Sequence, residues 1–210
     1  MKIEQLPIGL YEENIYLLHD RGHVLIFDPG CHRAKEILKY IGKDEKADAV
    51  ILTHGHEDHT YCCDDLADTL DIPVYMHYGD LPLVKADGSY KAFSRPVYSE
   101  IRELKEGEMT IGSFRLRIIH TPGHTQGSTC ILYRDLLITG DTLFAGSVGR
   151  TDLYGGDEEM LIQSLLKLKE LPGSLTICPG HGPASLLADE FRHNRYVLYY
   201  TGKRNTEPED

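Results

Sequence analysis

Short apolar runs alternate with turn signals along the chain, and the alternation falls into two similar passages. Residues 14–19 and 23–28 are apolar-rich stretches on either side of Asp20-Arg21-Gly22, which predicts a β-hairpin. Pro29-Gly30 closes the second strand. Ile37, Leu38 and Ile41 recur at helical spacing before Gly42, which predicts a helix over 33–41. Residues 47–52 form a brief apolar run, as in a strand covered on both faces, ending at Thr53. A helix over 61–70 and a strand over 73–77 follow. A stretch at 87–108 then mixes Gly, Ser, Pro and charge, and the plan repeats. Strands at 108–111 and 114–120 flank Gly112-Ser113, and strands at 128–133 and 136–139 flank Arg134-Asp135. Leu161, Leu165, Leu168 and Leu171 share one side of a helix over 158–171. A strand at 174–178 and a helical tail over 184–200 complete the pattern. Strand runs followed by a helix, twice, predict two sheets packed together with helices outside. The expectation is one domain over 1–210, with halves meeting near 87–108 and a frayed polar tail at 203–210.

A chain of 210 residues suits a single α/β domain and needs neither disulfide nor metal to hold its fold. Asp and Glu number 33 against 22 Lys and Arg, a net charge of −11, which argues against nucleic acid or another polyphosphate as partner. No apolar run reaches 18 residues, so no membrane partner is expected, and the first residues lack the apolar core of a signal peptide. Five cysteines, an odd number with no C-x-x-C pair, predict free thiols and a reducing, cytoplasmic location.

The eleven histidines change the picture, because most sit in a few loops. Four loops each follow a predicted strand and carry His or Asp beside Gly: Thr53-His54-Gly55-His56-Glu57-Asp58-His59, His120-Thr121-Pro122-Gly123-His124-Thr125, Gly140-Asp141-Thr142 and Pro179-Gly180-His181-Gly182. Strand ends in a layered fold converge on one rim, so these loops can meet. Imidazole and carboxylate are the donors a borderline divalent ion prefers. His54 and His56, two apart on extended chain, point the same way and can reach one ion. Asp58 and His59 follow and can face a second. His124 and His181 sit in tight Pro-Gly turns, and Asp141 ends an apolar run as a carboxylate able to bridge two cations. Five histidines and two aspartates divide into three neutral nitrogens for one ion, a mixed set for another, and one shared oxygen.

These motifs, T-H-G-H-E-D-H, H-T-P-G-H-T, G-D-T-L-F and P-G-H-G in this order, resemble the metallo-β-lactamase-fold hydrolases over residues 11–185. The stretch G-D-T-L-F-A-G-S-V-G-R-T-D-L-Y-G-G-D at 140–157 resembles the short bacterial branch of the glyoxalase II (hydroxyacylglutathione hydrolase) group. The resemblance implies a four-layer αββα sandwich with a dinuclear site on its edge. It implies His54, His56 and His124 on one metal, Asp58, His59 and His181 on the other, and Asp141 bridging. Two divalent ions per chain, zinc above iron or manganese, would flank a hydroxide, with Asp58 also hydrogen-bonding that nucleophile. The implied reaction is hydrolysis of a small-molecule thioester or related ester. Persulfide dioxygenases share G-R-T-D at 149–152 and use one iron on two His and one Asp, which is the alternative; other ester or lactone hydrolysis is a further one. The helical region with which full-length glyoxalase II binds glutathione has no counterpart in the 29 residues that follow His181.

Around these residues, Asp28 in Asp28-Pro29-Gly30 either orients a ligand histidine or is a turn residue. Arg150 and Tyr154 follow the Asp141 loop and are candidates for substrate contact, with an ion pair from Arg150 to Asp152 or Asp157 equally compatible. His120 is expected near the metals without a role, and His19, His23, His32, His77 and His193 are expected to be structural.

Overall fold

Alternation along the strands sorts the apolar side chains into three cores. In the computed structural model, which describes residues 1–84 and 92–202, one six-stranded sheet runs β1 (Lys2–Leu6), β2 (Ile15–Asp20), β3 (His23–Phe27), β4 (Lys46–Ile51), β5 (Val74–Met76), β6 (Ile101–Glu103) in that order. The second sheet contains β7 (Gly107–Ile111), β8 (Phe114–His120), β9 (Thr129–Tyr133) and β10 (Leu136–Gly140). A small ribbon of β11 (Leu143–Phe144) and β12 (Ser147–Val148) intervenes before β13 (Thr176–Pro179) and β14 (Ser185–Leu186) complete that sheet, whose order is β14-β13-β10-β9-β8-β7. Seven helices connect or cover these strands: α1 (Lys35–Leu38), α2 (Glu57–Thr60), α3 (Cys63–Leu70), α4 (Leu81–Val84), α5 (Glu158–Lys169), α6 (Leu187–His193) and α7 (Arg195–Gly202), counted among the described residues.

On β2, Tyr16 and Leu18 point into the core between the sheets, where they meet Phe114, Leu116 and Ile118 of β8. Ile15 and Leu17, one residue out of phase, point to the other face, against Ile37, Leu66 and Leu83 from the helices. On the second sheet, Cys130 and Leu137 face Leu161, Leu165 and Leu168 of α5 and Val197 of α7. Helices, sheet, sheet, helices is the expected αββα sandwich. Among the described residues no helix is long and apolar enough to cross a membrane. Residues 87–91 of the expected boundary and the 203–210 tail lie outside the described residues.

Several elements differ from the sequence expectation for identifiable reasons. β1 was not expected, because only Leu6 of its five residues is buried and an edge strand needs little more. The helix expected at 33–41 is the four-residue α1. The helix expected at 61–70 is α3 alone, with α2 a separate turn ahead of it. The C-terminal helix breaks at Asn194, whose buried side-chain amide donates to the carbonyls of Phe144 and Ser147 and to Glu190, while its own backbone is extended.

One carboxylate ties the sheets together. Asp48 on β4 accepts from the Ser113 amide and hydroxyl in the β7–β8 turn at 2.9 and 3.2 Å, and sits 3.0 Å from His23 Nδ1. Burial works against its charge, yet the hydrogen bonds from His23 and Ser113 hold it below its ordinary 3.8. A depressed carboxyl stabilises the fold above its unfolded value and loses that contribution as pH falls through the folded one. Asp48→Ala should cost about 1–2 kcal/mol at pH 7. The gap from the parent protein should narrow below pH 3.8. Urea unfolding at the two pH values checks it.

Candidate metal centre

Four strands deliver the site. β10 runs parallel to β13, and β8 is antiparallel to β9, which is antiparallel to β10. β8, β10 and β13 therefore release their following loops at one edge of the sheet, carrying His124, Asp141 and His181. The loop after β4 joins them, since Thr129 donates its amide to the Thr53 carbonyl. Glycine makes the approach possible. A Cβ on Gly180 would lie 2.2 Å from Asp141 Oδ1 and 2.7 Å from His59 Cε1. Gly140 adopts φ +46°, and a Cβ there would meet Thr53 Oγ1 at 2.3 Å.

His54, His56 and His124 form the first group. His56 Nδ1 lies 3.1 Å from His54 Nε2 and 2.9 Å from His124 Nε2. Their partners fix two tautomers. His124 Nδ1 faces the Arg150 carbonyl at 2.8 Å, so it carries the proton and Nε2 presents a lone pair. Thr53 Oγ1 spends its proton on Asp28 Oδ2 at 2.7 Å and accepts from His54 Nδ1 at 3.1 Å, which leaves His54 Nε2 as a second lone pair. Both converge on His56 Nδ1, which has at most one proton to share between them. His56 Nε2 is buried without a hydrogen-bond partner. Burial holds His54 well below its ordinary 6.5, and burial with neighbouring His124 pushes His56 down to about 3. Three neutral nitrogens aimed at one point suit a cation and satisfy one another poorly.

The second group is Asp58, His59 and His181. Asp58 Oδ2 lies 3.3 Å from His181 Nε2 and 3.9 Å from His59 Nε2. Asp141 stands between the groups: Oδ1 is 3.3 Å from His59 Nε2, while Oδ2 is 3.6 Å from His124 Nε2 and 3.7 Å from His181 Nε2. His59 Nε2 and Asp141 Oδ1 are buried and make no in-line hydrogen bond. Burial opposes charge on both, but Asp141, Asp28 and Asp58 lift His59 well above 6.5, and His59 holds Asp141 well below 3.8. Three carboxylates gathered around one buried imidazole are the surroundings that a divalent cation offsets. The donor atoms of His54, His56 and His124, of His54, His59 and Asp141, and of Asp58, His59 and His181 each lie within 4.8 Å of one another. All seven residues singled out in the sequence thus meet at one place.

Asp28 Oδ2 lies 3.0 Å from His59 Nδ1 without hydrogen-bond alignment, and Oδ1 accepts the Thr53 amide at 2.7 Å. Arg150 lines the cleft; its guanidinium is paired bidentate with Asp152 at 2.6 and 2.7 Å, and its carbonyl accepts from His124 Nδ1 at 2.8 Å. Tyr154 is exposed and outside the residues that line the cleft. His120 stacks on His77, ring centroids 4.0 Å apart, and belongs to neither ligand group. All five thiols are buried and free, and Cys31 Sγ and Cys62 Sγ lie 3.2 Å apart, a proximity invisible in the sequence.

Sequence reasoning also missed two buried carboxyls. Glu13 is fully buried with neither oxygen paired, and burial raises it well above 4.5; beside Glu12 it reads as a solvated charge. Asp80, alone in Tyr78-Gly79-Asp80, carries no ligand-like signal. Its Oδ2 accepts from the Gly55 amide at 2.8 Å and Thr125 Oγ1 at 2.7 Å, and its Oδ1 from the Gly127 amide at 2.6 Å. One carboxylate thus joins the loop between His54 and His56 to the loop after His124. Asp80→Asn replaces one acceptor with a donor, and should weaken metal binding by the three histidines about 10-fold. Competition with a chelating dye measures it.

Residues 8–181 match the Metallo-beta-lactamase superfamily. Probable metallo-hydrolase YqgX of Bacillus subtilis is 36% identical over 94% of this chain and 98% of its own length. Hydroxyacylglutathione hydrolase GloC of Haemophilus influenzae is 29% identical over 94% and 98%. Among solved structures, BLEG-1 B3 metallo-beta-lactamase has a TM-score of 0.83 and 32% identity over 93% of this chain and 99% of that one. TTHA1623 in a di-iron-bound form has 0.79 and 34% over 92% and 99%. ETHE1 from Myxococcus xanthus has 0.78 and 25% over 100% and 93%.

Proposed function

The chain belongs to the metallo-β-lactamase superfamily, and from that premise we propose that it is a metal-dependent hydrolase of small-molecule thioesters or related acyl esters, working at a two-cation centre. The observation that carries this reading is Asp141, whose two oxygens face different ligand groups. His54, His56 and His124 would hold one divalent ion, Asp58, His59 and His181 the other, with Asp141 shared. Imidazole and carboxylate donors accept zinc, iron or manganese. Such a pair, when bound, supplies a hydroxide from water near neutral pH and a Lewis acid for the carbonyl.

The chain's own residues do the rest. Asp58 lines the cleft, and its carboxylate accepts a hydrogen bond from the attacking water and aligns it. Asp28 places its carboxylate 3.0 Å from His59 Nδ1, and the Arg150 carbonyl, accepting from His124 Nδ1, holds that ring in one orientation. Tyr11, Phe93 and Leu153 wall the cleft of about 170 Å³ and limit water around the reacting bond. A thiolate leaves readily, so a dedicated general acid is not needed. The likeness to GloC supports a thioester as substrate.

A second reading has an observation of its own. The trio His54, His59 and Asp141 has the two-His, one-carboxylate composition of a single-iron oxygenase, and ETHE1 shares the fold at 25% identity. The holoenzyme should be offered lactoylglutathione, neutral thioesters, a lactone and a β-lactam, with oxygen uptake on a persulfide followed in parallel. Thioester turnover without oxygen consumption is expected. Oxygen uptake on the persulfide with one iron per chain, and no hydrolysis, would overturn the proposal.

A further inference from the structure

We propose that this cleft selects acyl thioesters bearing an uncharged apolar group, held between Tyr11 and Phe93; the inference rests on the hydrolase reading above and names its substrate class. Both aromatic rings line the same cleft as His56, Asp58, His124, Asp141 and His181. Tyr11 is 66% exposed and Phe93 43%, so each leaves a large apolar face to water at the mouth of the site. One exposed aromatic side chain is ordinary. Two at one catalytic mouth, both in the left-handed region at φ 59°, are not. Bulky side chains seldom adopt that backbone, and such strain gathers at ligand-holding positions.

The backbone that carries each ring is tied to the ligand-bearing segments. The Phe93 carbonyl accepts the Glu57 amide at 2.9 Å, at the start of the helix that carries Asp58 and His59. The turn bearing Tyr11 packs on that same helix. It leads into Glu13, which bridges to His181, and into Asn14, whose amide donates to the Gly180 carbonyl at 2.7 Å. The segments that carry the rings are therefore held beside the reacting centre.

Charge points the same way. Among the described residues lining the cleft, Arg150 is the one permanent cation, and both its Nε and its Nη2 are engaged by Asp152. Among the described residues, no other guanidinium or ammonium lines the cleft to hold the carboxylates of a tail such as that of glutathione. The net charge of −11 adds a long-range field that disfavours anions.

The test uses the metal-loaded enzyme with three thioesters: phenylacetyl and acetyl thioesters of N-acetylcysteamine, both neutral, and lactoylglutathione, which is anionic. The phenylacetyl thioester should have the highest kcat/KM. In Tyr11→Ala and Phe93→Ala its advantage over the acetyl thioester should shrink about 10-fold, mainly through KM. Tyr11→Phe, which keeps the ring, should retain it. A second arm reads binding without turnover: calorimetry with the ketone analogue in which CH2 replaces sulfur in the phenylacetyl compound. Its affinity should fall about 10-fold in each alanine variant. Preference for lactoylglutathione, or an unmoved phenylacetyl-to-acetyl ratio, would overturn the inference. If no thioester is turned over, the hydrolase reading fails. The ketone arm then decides the aromatic clamp alone: ring-dependent binding supports it, and ring-independent binding or none overturns it.

Discussion

Asp141→Ala is expected to lower thioester hydrolysis by about 1,000-fold and to strip metal from the chain while the sandwich persists. The reason is geometric. Among the described residues, Asp141 is the one donor whose two oxygens face His59 on one side and His124 and His181 on the other. Its removal takes a ligand from both groups at once. Gly180 and Gly140 beside it carry no side chain, and a Cβ on Gly180 would lie 2.2 Å from Asp141 Oδ1. The fold should survive, since the three apolar cores do not include Asp141. Elemental metal analysis, circular dichroism and thioester turnover on one preparation check all three parts. A variant with full metal content and parent-like turnover would remove Asp141 from the centre.

Asp28→Ala should have the next largest effect, and on two readouts. Asp28 is 1% exposed and accepts from both the amide and the hydroxyl of Thr53, with His59 Nδ1 3.0 Å away. Losing a buried acceptor strands these donors, at a cost of about 3 kcal/mol for the set. Freeing His59 should also weaken metal binding by its group about 10–100-fold. Asp28→Asn separates the causes. Asparagine tolerates the φ of 49° at this position, so the backbone is undisturbed and only charge and one acceptor are lost. Its stability should fall less than that of Asp28→Ala while metal affinity still drops. Urea unfolding in chelator and metal competition give the two numbers. Equal stability for parent and Asp28→Ala would deny the buried network its role.

The site was far more legible in the sequence than the walls around it. Seven ligand candidates belong to the few residue types that divalent ions prefer, and they fall just after apolar runs that had to be strands. Convergence then follows from layering alone, as with His124 and His181, 57 residues apart and both at strand ends. Asp80 and Glu13 were not legible. A lone carboxylate beside a tyrosine or another glutamate looks solvated until tertiary packing buries it. The contact of the Arg150 carbonyl with His124 was not legible either, because sequence carries no information on main-chain acceptors. Interior strands were readable either because both faces are apolar, as in β2 and β3, or because apolar and polar residues alternate, as in β8. β1, β6 and β14 are edge or short strands that bury few side chains, and their pairing depends on neighbours distant in sequence. Tyr11 and Phe93 follow the same rule: only the folded chain shows that they share a cleft.

Metal stoichiometry tests the account most directly. The protein, stripped by chelator and titrated with zinc or ferrous iron, should take up two equivalents per chain. His56→Ala and His181→Ala should each weaken one of the two binding steps far more than the other. A single equivalent at saturation, or two that neither substitution perturbs, would contradict a pair of ions gathered by these seven side chains.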